Sequence, residues 1–305
     1  MQQHTLKVSL EDAGKRLDIY LLEFFQQQNM GLSRTFIQKL LKENQVTSNG
    51  VVAIKAHHKV NSGDEIIVSI GDKKINTLEP EDIPLEIVYQ DADVAVINKP
   101  AGLVVHPAPG NYAHTLVNAL LYHFKELSDI NPLRPGIVHR LDKDASGLLV
   151  VARNNRAHLI LAEQFSAHSV KRKYIAIVKG KMEFDQNMIE LPIARHALKR
   201  KSMAVSFSKA AKYAKTYYRT LKRSKDYSVV ELELFTGRTH QIRVHLAFLG
   251  HPILGDNKYG KHDAFPRLAL HAKSIGFLHP SSGKFVEFSS ELPKEFKNFV
   301  LLAAL

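Results

Sequence analysis

His139-Arg140-Leu141-Asp142-Lys143-Asp144 places two carboxylates, two cations and a histidine within six positions, more charge than an ordinary connection between strands carries. Ala145-Ser146-Gly147 leads from there into the apolar run Leu148-Leu149-Val150-Val151-Ala152, which reads as a buried strand. Loops that meet a rigid sheet are where reactive side chains are presented, so the rest of the chain is read around Asp142. Metal chemistry is set aside first. Asp142-x-Asp144-x-Ser146-Gly147 imitates the start of a calcium loop, but its twelfth position is Arg153 where a bidentate glutamate is required. The chain has 16 histidines and no His-Glu-x-x-His; His240 and His245 stand five apart, which separates them around a helix. His106 and His139, taken alone, read as hydrogen-bonded structural residues. No Gly-x-x-x-x-Gly-Lys-Ser/Thr and no Gly-x-Gly-x-x-Gly occurs. Neither a metal nor a nucleotide cofactor is expected.

The elements that must position Asp142 follow from periodicity and turn chemistry. Residues from about 14 to 70 form a small module. Leu17, Leu21 and Phe24/Phe25 recur at helical spacing, and Ser33 can cap a second helix with Phe36, Ile37, Leu40 and Leu41 on its apolar face. An Asn49-Gly50 turn follows, then a strand ending at Val68. Residues 76–84 are polar, hold two prolines and read as a linker. Strands are expected at 85–89, 94–99, 148–152, 171–178, 227–235, 268–271, 275–278 and 284–288, with helices at 115–124, after Asn154 or Asn155, and at 240–249, the last closed by Gly250. Strands outnumber helices and often succeed one another directly, which argues α+β with a largely antiparallel sheet.

At 305 residues the chain holds more than one domain, and 45% hydrophobic with 24% charged residues is ordinary for a globular protein. There is no cysteine, the N-terminus lacks the apolar core of a signal peptide, and no run approaches the roughly 20 apolar residues of a membrane span. A cytoplasmic protein is expected. The net charge of +12 is concentrated: Val170 to Asp226 carries 16 Lys+Arg against 4 Asp+Glu, and the remainder balances at 26 of each. A local excess of this kind suits a polyanion such as nucleic acid.

Three motifs in order turn these readings into a resemblance. The loop His139 to Gly147 resembles the signature loop of the RluA/RluD family of RNA pseudouridine synthases; Lys171-Arg172-Lys173-Tyr174 resembles its tyrosine motif; and Gly237-Arg238-Thr239-His240-Gln241-Ile242-Arg243-Val244-His245-Leu246 resembles its third motif. Asn98-Lys99-Pro100 and Val105-His106-Pro107 precede them, and Arg16-Leu17-Asp18, Ser33-Arg34 and Gly63-Asp64 resemble the S4 RNA-binding domain. Ala145 and Ala211 depart from the threonine and glycine common in the family.

The resemblance implies an S4-like α/β domain at 14–75, a linker at 76–84 and a mainly antiparallel, mixed-sheet pseudouridine synthase domain at 85–305. It implies isomerisation of uridine without a cofactor, on a nucleotide flipped out of folded RNA, with 23S rRNA or a ribosome-assembly intermediate as partner and the protein a monomer. By motif position Asp142 is the nucleophile, Arg243 its ion-pair partner and Tyr174 the residue that stacks on the base. Ile242 walls the base, Arg140 holds phosphate or fills the gap left in the RNA, and His139 lies beside the substrate. Arg16, Ser33, Arg34, Lys39 and Lys42, with Arg195, Lys199, Arg200, Lys201 and Lys212, are expected to follow the RNA backbone. Two other readings are a non-catalytic rRNA-binding assembly factor and an N-glycosylase, since a carboxylate beside an anomeric carbon also suits hydrolysis.

Overall fold

Turn chemistry and a buried carboxylate organise the first of two units into which the chain divides, Met1–Thr77 and Leu78–Leu305. The computed structural model describes residues 2–28, 30, 32, 34–53, 55–70, 78–107, 111–260 and 265–302. In the first unit β1 (Gln2–Lys7), ahead of the expected start at 14, pairs antiparallel along the length of β4 (Glu65–Ile70). Among its described side chains Leu6 alone is buried, with Val8 just past its end, so the strand shows little apolar alternation in sequence. β2 (Val46–Ser48) and β3 (Val51–Val52) flank Asn49 and Gly50, whose φ values of 51° and 78° are the left-handed pair of a tight hairpin turn. α1 (Leu17–Gln27) and α2 (Arg34–Lys42) share a core with the sheet through Leu17, Leu21, Phe25, Ile37, Leu41, Val46, Ile66 and Val68. The expected cap, Ser33, lies outside the described residues.

Asp18 ties α1 to α2. Its side chain is buried and accepts from Arg16 Nε at 3.0 Å, Arg34 Nη2 at 2.8 Å and Gln38 Nε2 at 3.1 Å. Burial works to raise its pKa, but the donated hydrogen bonds outweigh that and bring it down to about 2.

The second unit is built on a nine-stranded sheet. Its strands are β5 (Glu86–Gln90), β6 (Val94–Lys99), β7 (Ser146–Ala152), β8 (Lys171–Lys179), β9 (Gln186–Glu190), β12 (Lys215–Arg223), β13 (Tyr227–Leu234), β14 (Leu270–Leu278) and β15 (Phe285–Ser289). They run in the order β5-β6-β7-β14-β8-β13-β12-β9, with β15 beside β14. The β7–β14 pair is parallel and the other pairs are antiparallel, as the succession of strands in sequence implies. β10 (Ile193–Arg195) and β11 (Met203–Val205) form a separate hairpin. The helices are α3 (Leu116–His123), α4 (Asn155–Ser166), α5 (Gln241–Phe248) and α6 (Lys294–Leu302). No helix among the described residues is long and apolar enough to cross a membrane.

β7 explains its own unbroken apolar run. Leu149 and Val151 enter one core with Leu116, Leu120 and Tyr174, while Leu148 and Val150 enter another with Leu161 and Phe277. A strand covered on both faces has no wet side to alternate toward. At its start Gly147 has φ +111°, and a Cβ there would lie 2.3 Å from the Ala272 carbonyl oxygen, so glycine is what lets β14 close against β7.

Two sequence expectations change. The segments 268–271 and 275–278 belong to one strand, β14, whose pairing with β8 shifts register between Ala272 and Ser274. The irregularity interrupts the alternation that would have joined them. Residues 78–84 are docked onto α3: Glu81 N donates to the Asn118 carbonyl at 3.0 Å, and Asn118 Nδ2 donates to the Glu79 carbonyl at 2.8 Å. β9 to β12 and α6 carry no clear period in sequence.

Asp18 has a depressed pKa, so its ionised form stabilises the first unit above the unfolded carboxylate value of 3.8, and that contribution is lost as the pH falls toward about 2. The protection of α1 amides in the intact protein, taken as exchange relative to the intrinsic rate at each pH, should fall over this window, and in Asp18→Asn it should be low already at neutral pH and depend less on acid. Unchanged exchange in the variant would show that the carboxylate does not hold the helices together.

Candidate active site

The signature loop is fastened on both sides of Asp142. Lys99, at the end of β6, is fully buried and donates from Nζ to the carbonyls of Pro100 at 2.7 Å, Leu103 at 2.9 Å and Lys143 at 3.0 Å. Burial lowers its pKa to about 7. Leu141 and Ala145 enter the core, and Ser146 Oγ meets His271 Nδ1 at 2.9 Å and accepts from Arg267 Nη2 at 3.0 Å. With its neighbours fastened, Asp142 remains partly open, its side chain 15% exposed.

The opposite wall is the start of α5. Gln241, buried, accepts at Oε1 from Arg238 N at 2.9 Å and donates from Nε2 to the Lys215 carbonyl at 3.0 Å, fixing the helix start against β12. His240 sits at the helix N-cap with φ 56°. From the first turn Arg243 Nη1 reaches Asp142 Oδ2 at 3.0 Å. The same guanidinium is gripped from behind: Nε and Nη2 each lie 2.8 Å from an oxygen of Asp256. Asp256 also accepts from the backbone N–H groups of Lys258 at 2.9 Å and Tyr259 at 3.1 Å. Burial alone would weaken the Arg243 charge, but Asp256 and Asp142 more than offset it and hold the guanidinium above its usual range. Burial likewise pushes Asp256 up, and the bonds from Arg243 bring it below the usual carboxylate value. Such two-point pairing sets orientation as well as charge.

The remaining wall comes from β8. Tyr174 is buried, which raises its hydroxyl pKa and keeps the phenol protonated. Asp142, Arg243, Tyr174, Ile242, His139 and Arg140 all line one cleft of about 580 Å³, within the range of small-ligand sites. Sequence had spread them over more than 100 positions. His139 stacks on Phe165 with centroids 4.5 Å apart, and its Nε2 accepts from Val150 N at 3.0 Å. Burial lowers its pKa to about 3, so it is a neutral structural ring at the cleft wall. A second cleft of about 730 Å³ shares Asp142, Arg140, His240 and Arg243 and adds Lys143, Lys199, Lys258 and Arg267. Asp142 therefore stands between a cavity in which aromatic and aliphatic walls accompany Arg140, Arg172, Arg238 and Arg243 and one that adds lysines to Arg140 and Arg243.

Of the expected RNA-contacting residues, Lys199 borders the second cleft, and exposed Arg195, Arg200 and Lys201 stand with it at or beside the β10–β11 turn. Exposed Lys212 follows on the chain leading to β12. In the first unit Lys39 pairs with Glu43 at 3.3 Å, Lys42 is exposed, and Arg16 and Arg34 are about half exposed while bound to Asp18. Sequence reasoning gave no role to Asp256, Tyr259 or Arg172. Asp256 lies 13 positions beyond Arg243 on an irregular segment, where no periodicity marks it. His240 and His245 do part company, as their spacing implies: His240 Nδ1 meets Tyr259 Oη at 2.7 Å, and His245 meets Thr216 Oγ1 at 3.0 Å and the Leu191 carbonyl at 2.9 Å.

The anchor can be tested by itself. Asp256→Ala leaves the buried guanidinium without its rear partner and should cost about 3–5 kcal/mol of stability in denaturant unfolding. Asp256→Asn, which keeps one acceptor, should cost less. Wild-type stability in both would mean that Arg243 is held by other means.

Residues 93–248 match the family model described as RNA pseudouridylate synthase. The chain is 43% identical over 303 residues to "Uncharacterized RNA pseudouridine synthase YlyB" of Bacillus subtilis, covering 98% of each chain. It is 44% identical to "Ribosomal large subunit pseudouridine synthase D" of Zymomonas mobilis, covering 97% of this chain and 96% of the relative. Among solved structures it resembles "Human RNA Pseudouridylate Synthase Domain Containing 1", with 29% identity, a TM-score of 0.58, and coverage of 70% of this chain and 85% of that one. The motifs brought together around Asp142 fall inside the matched span, and the chain belongs to the RNA pseudouridylate synthase family.

Proposed function

We propose that this RNA pseudouridine synthase converts specific uridines of structured RNA, 23S rRNA foremost, to pseudouridine, with Asp142 as nucleophile toward a flipped-out nucleotide. The observation that carries this is the 3.0 Å pair between Asp142 and Arg243 on the wall of an open cleft that Tyr174 and Ile242 also line. The name borne by the Zymomonas mobilis relative favours large-subunit rRNA. The protein would act as a monomer in the cytoplasm, where ribosomes assemble.

The isomerisation breaks N1–C1′, turns the base and forms C5–C1′; the C5 proton leaves and N1 gains one, so atoms balance without oxidation or an added group. Arg243 orients the carboxylate of Asp142 toward the nucleotide, and the loss of bulk water strengthens that pairing. Tyr174 offers a ring face to the uracil and a protonated hydroxyl beside it. Ile242 closes the apolar side. Arg140, exposed and common to both clefts, takes the place of the extruded nucleotide or a flanking phosphate. The cationic cleft and Arg195, Lys199, Arg200, Lys201 and Lys212 follow the backbone on the catalytic unit. Arg16, Ser33, Arg34, Lys39 and Lys42 do so on the first.

Asp142→Asn should lose tritium release from 5-tritiated uridine RNA and still bind that RNA. Full turnover by the variant would remove Asp142 from the chemistry, and free uracil as product would favour the glycosylase. RNA affinity should fall steeply with salt, and replacing Lys199, Arg200 and Lys201 with alanine should flatten log K against log salt by roughly 0.9 for each phosphate no longer neutralised. A slope unaffected by the triple change would place the RNA elsewhere.

A further inference from the structure

The Tyr174 side of the cleft holds a cation that the chemistry above leaves unused. Arg172 stands two residues before Tyr174 on β8, so both project from one face of the strand, and both line the cleft. Arg172 is 8% exposed. Among the described residues no carboxylate pairs with it; its Nη2 makes a long 3.4 Å contact with the Leu234 carbonyl, and its Nε has no partner. The guanidinium lies 5.7 Å from the centroid of the Phe165 ring. Burial pushes its pKa below the usual arginine range. A buried cation without an anion is costly, and a side chain needed only for packing would be apolar here. Room has also been left for it: a Cβ on Gly237 would lie 2.9 Å from Arg172 Nη1.

We infer that Arg172 donates to a carbonyl oxygen of the flipped uracil, orienting the base and stabilising the charge it carries when the glycosidic bond breaks. This rests on the isomerase reading of the same cleft. Cleavage of N1–C1′ leaves the bonding pair on the base, spread over N1, O2 and O4. C5 then bonds to C1′, the C5 proton departs and N1 is protonated, so the charge Arg172 meets is transient and no co-reactant is needed. A fixed donor aimed at developing charge in a dry site is a strong form of transition-state stabilisation. RNA offers phosphate as another anion. Arg140, Arg238 and Arg243 line the same cleft, but Arg172 itself is buried against Phe165 and Leu234 on the strand that carries Tyr174, walls suited to a planar base, whereas Lys143, Lys199, Lys258 and Arg267 gather in the second cleft.

The test compares wild type, Arg172→Met and Arg172→Lys on 23S rRNA transcripts made with 5-tritiated uridine, or with its 2-thio or 4-thio analogue, whose sulfur is the weaker acceptor. Wild type must release tritium from the uridine transcript; if it does not, the isomerase reading fails and this inference with it. Arg172→Met should raise the melting temperature by a few degrees through loss of a buried, unmatched charge. It should lower kcat about 100-fold while leaving RNA affinity and its salt slope unchanged, and Arg172→Lys should recover part of the rate. The rate penalty for one thio substitution should be clear in wild type and vanish in Arg172→Met. Four results would each overturn the assignment: near-wild-type kcat in Arg172→Met; a reduced salt slope, which marks a phosphate partner; no thio penalty in wild type at either position; or a penalty that persists unchanged in the variant, which marks a packing role.

Discussion

Arg243 is shared by two carboxylates with different duties, and most of the catalytic unit's architecture serves that sharing. Asp256 takes the Nε and Nη2 edge in a buried two-point grip, which leaves Nη1 for Asp142. A guanidinium facing Asp142 alone would have to be oriented by that one bond. With its rear edge committed, it reaches Asp142 as a fixed donor, so the carboxylate can stand at the edge of an open cleft and keep a defined direction. The planar fork of arginine makes this division possible; the compact ammonium of lysine could not serve both acids in the same way.

The sheet provides the frame for this contact. The signature loop arrives on β7, the tyrosine on β8 and the arginine on the helix after β13. β14 enters between β7 and β8, parallel to one and antiparallel to the other, and so sets the spacing between the Asp142 loop and Tyr174. Gly147 and Lys99 serve the same placement. The first lets two backbones come together where no side chain fits, and the second holds three carbonyls under the loop with one buried ammonium.

Charge is distributed unevenly across the two clefts. The cavity lined by Tyr174 and Ile242 combines aromatic and aliphatic surface with four arginines, and the one lined by Lys143, Lys199, Lys258 and Arg267 has little apolar side chain and more cations. A nucleotide has the same two-part character, a planar base and an anionic backbone, and Asp142 lies where the two surfaces meet. In the first unit, by contrast, Arg16 and Arg34 spend part of their hydrogen-bonding capacity on Asp18, so that helix packing and surface charge there depend on the same side chains.

Local pattern was enough to identify β7, the Asn49-Gly50 turn, the α5 helix with Gly250 behind it and the α+β class, and contiguous motifs singled out Asp142, Tyr174 and Arg243, which the fold brings to one cleft, because each depends on periodicity, turn chemistry or a short run of sequence. Pairing was not legible in this way. That β14 is a single strand, that β1 completes the first sheet and that residues 78–84 lie against α3 all depend on partners distant in sequence. Asp256 and Arg172 became visible only in the folded chain. Neither stands out among its neighbours, since an aspartate on an irregular segment and an arginine at a basic strand start are common. Their significance comes from what surrounds them: a guanidinium enclosed by two acids in one case, a buried cation paired with no acid among the described residues in the other. Composition and order therefore determined which groups were available for chemistry, while the packing of the sheet decided which charges were matched, because burial and pairing are properties of three-dimensional neighbours.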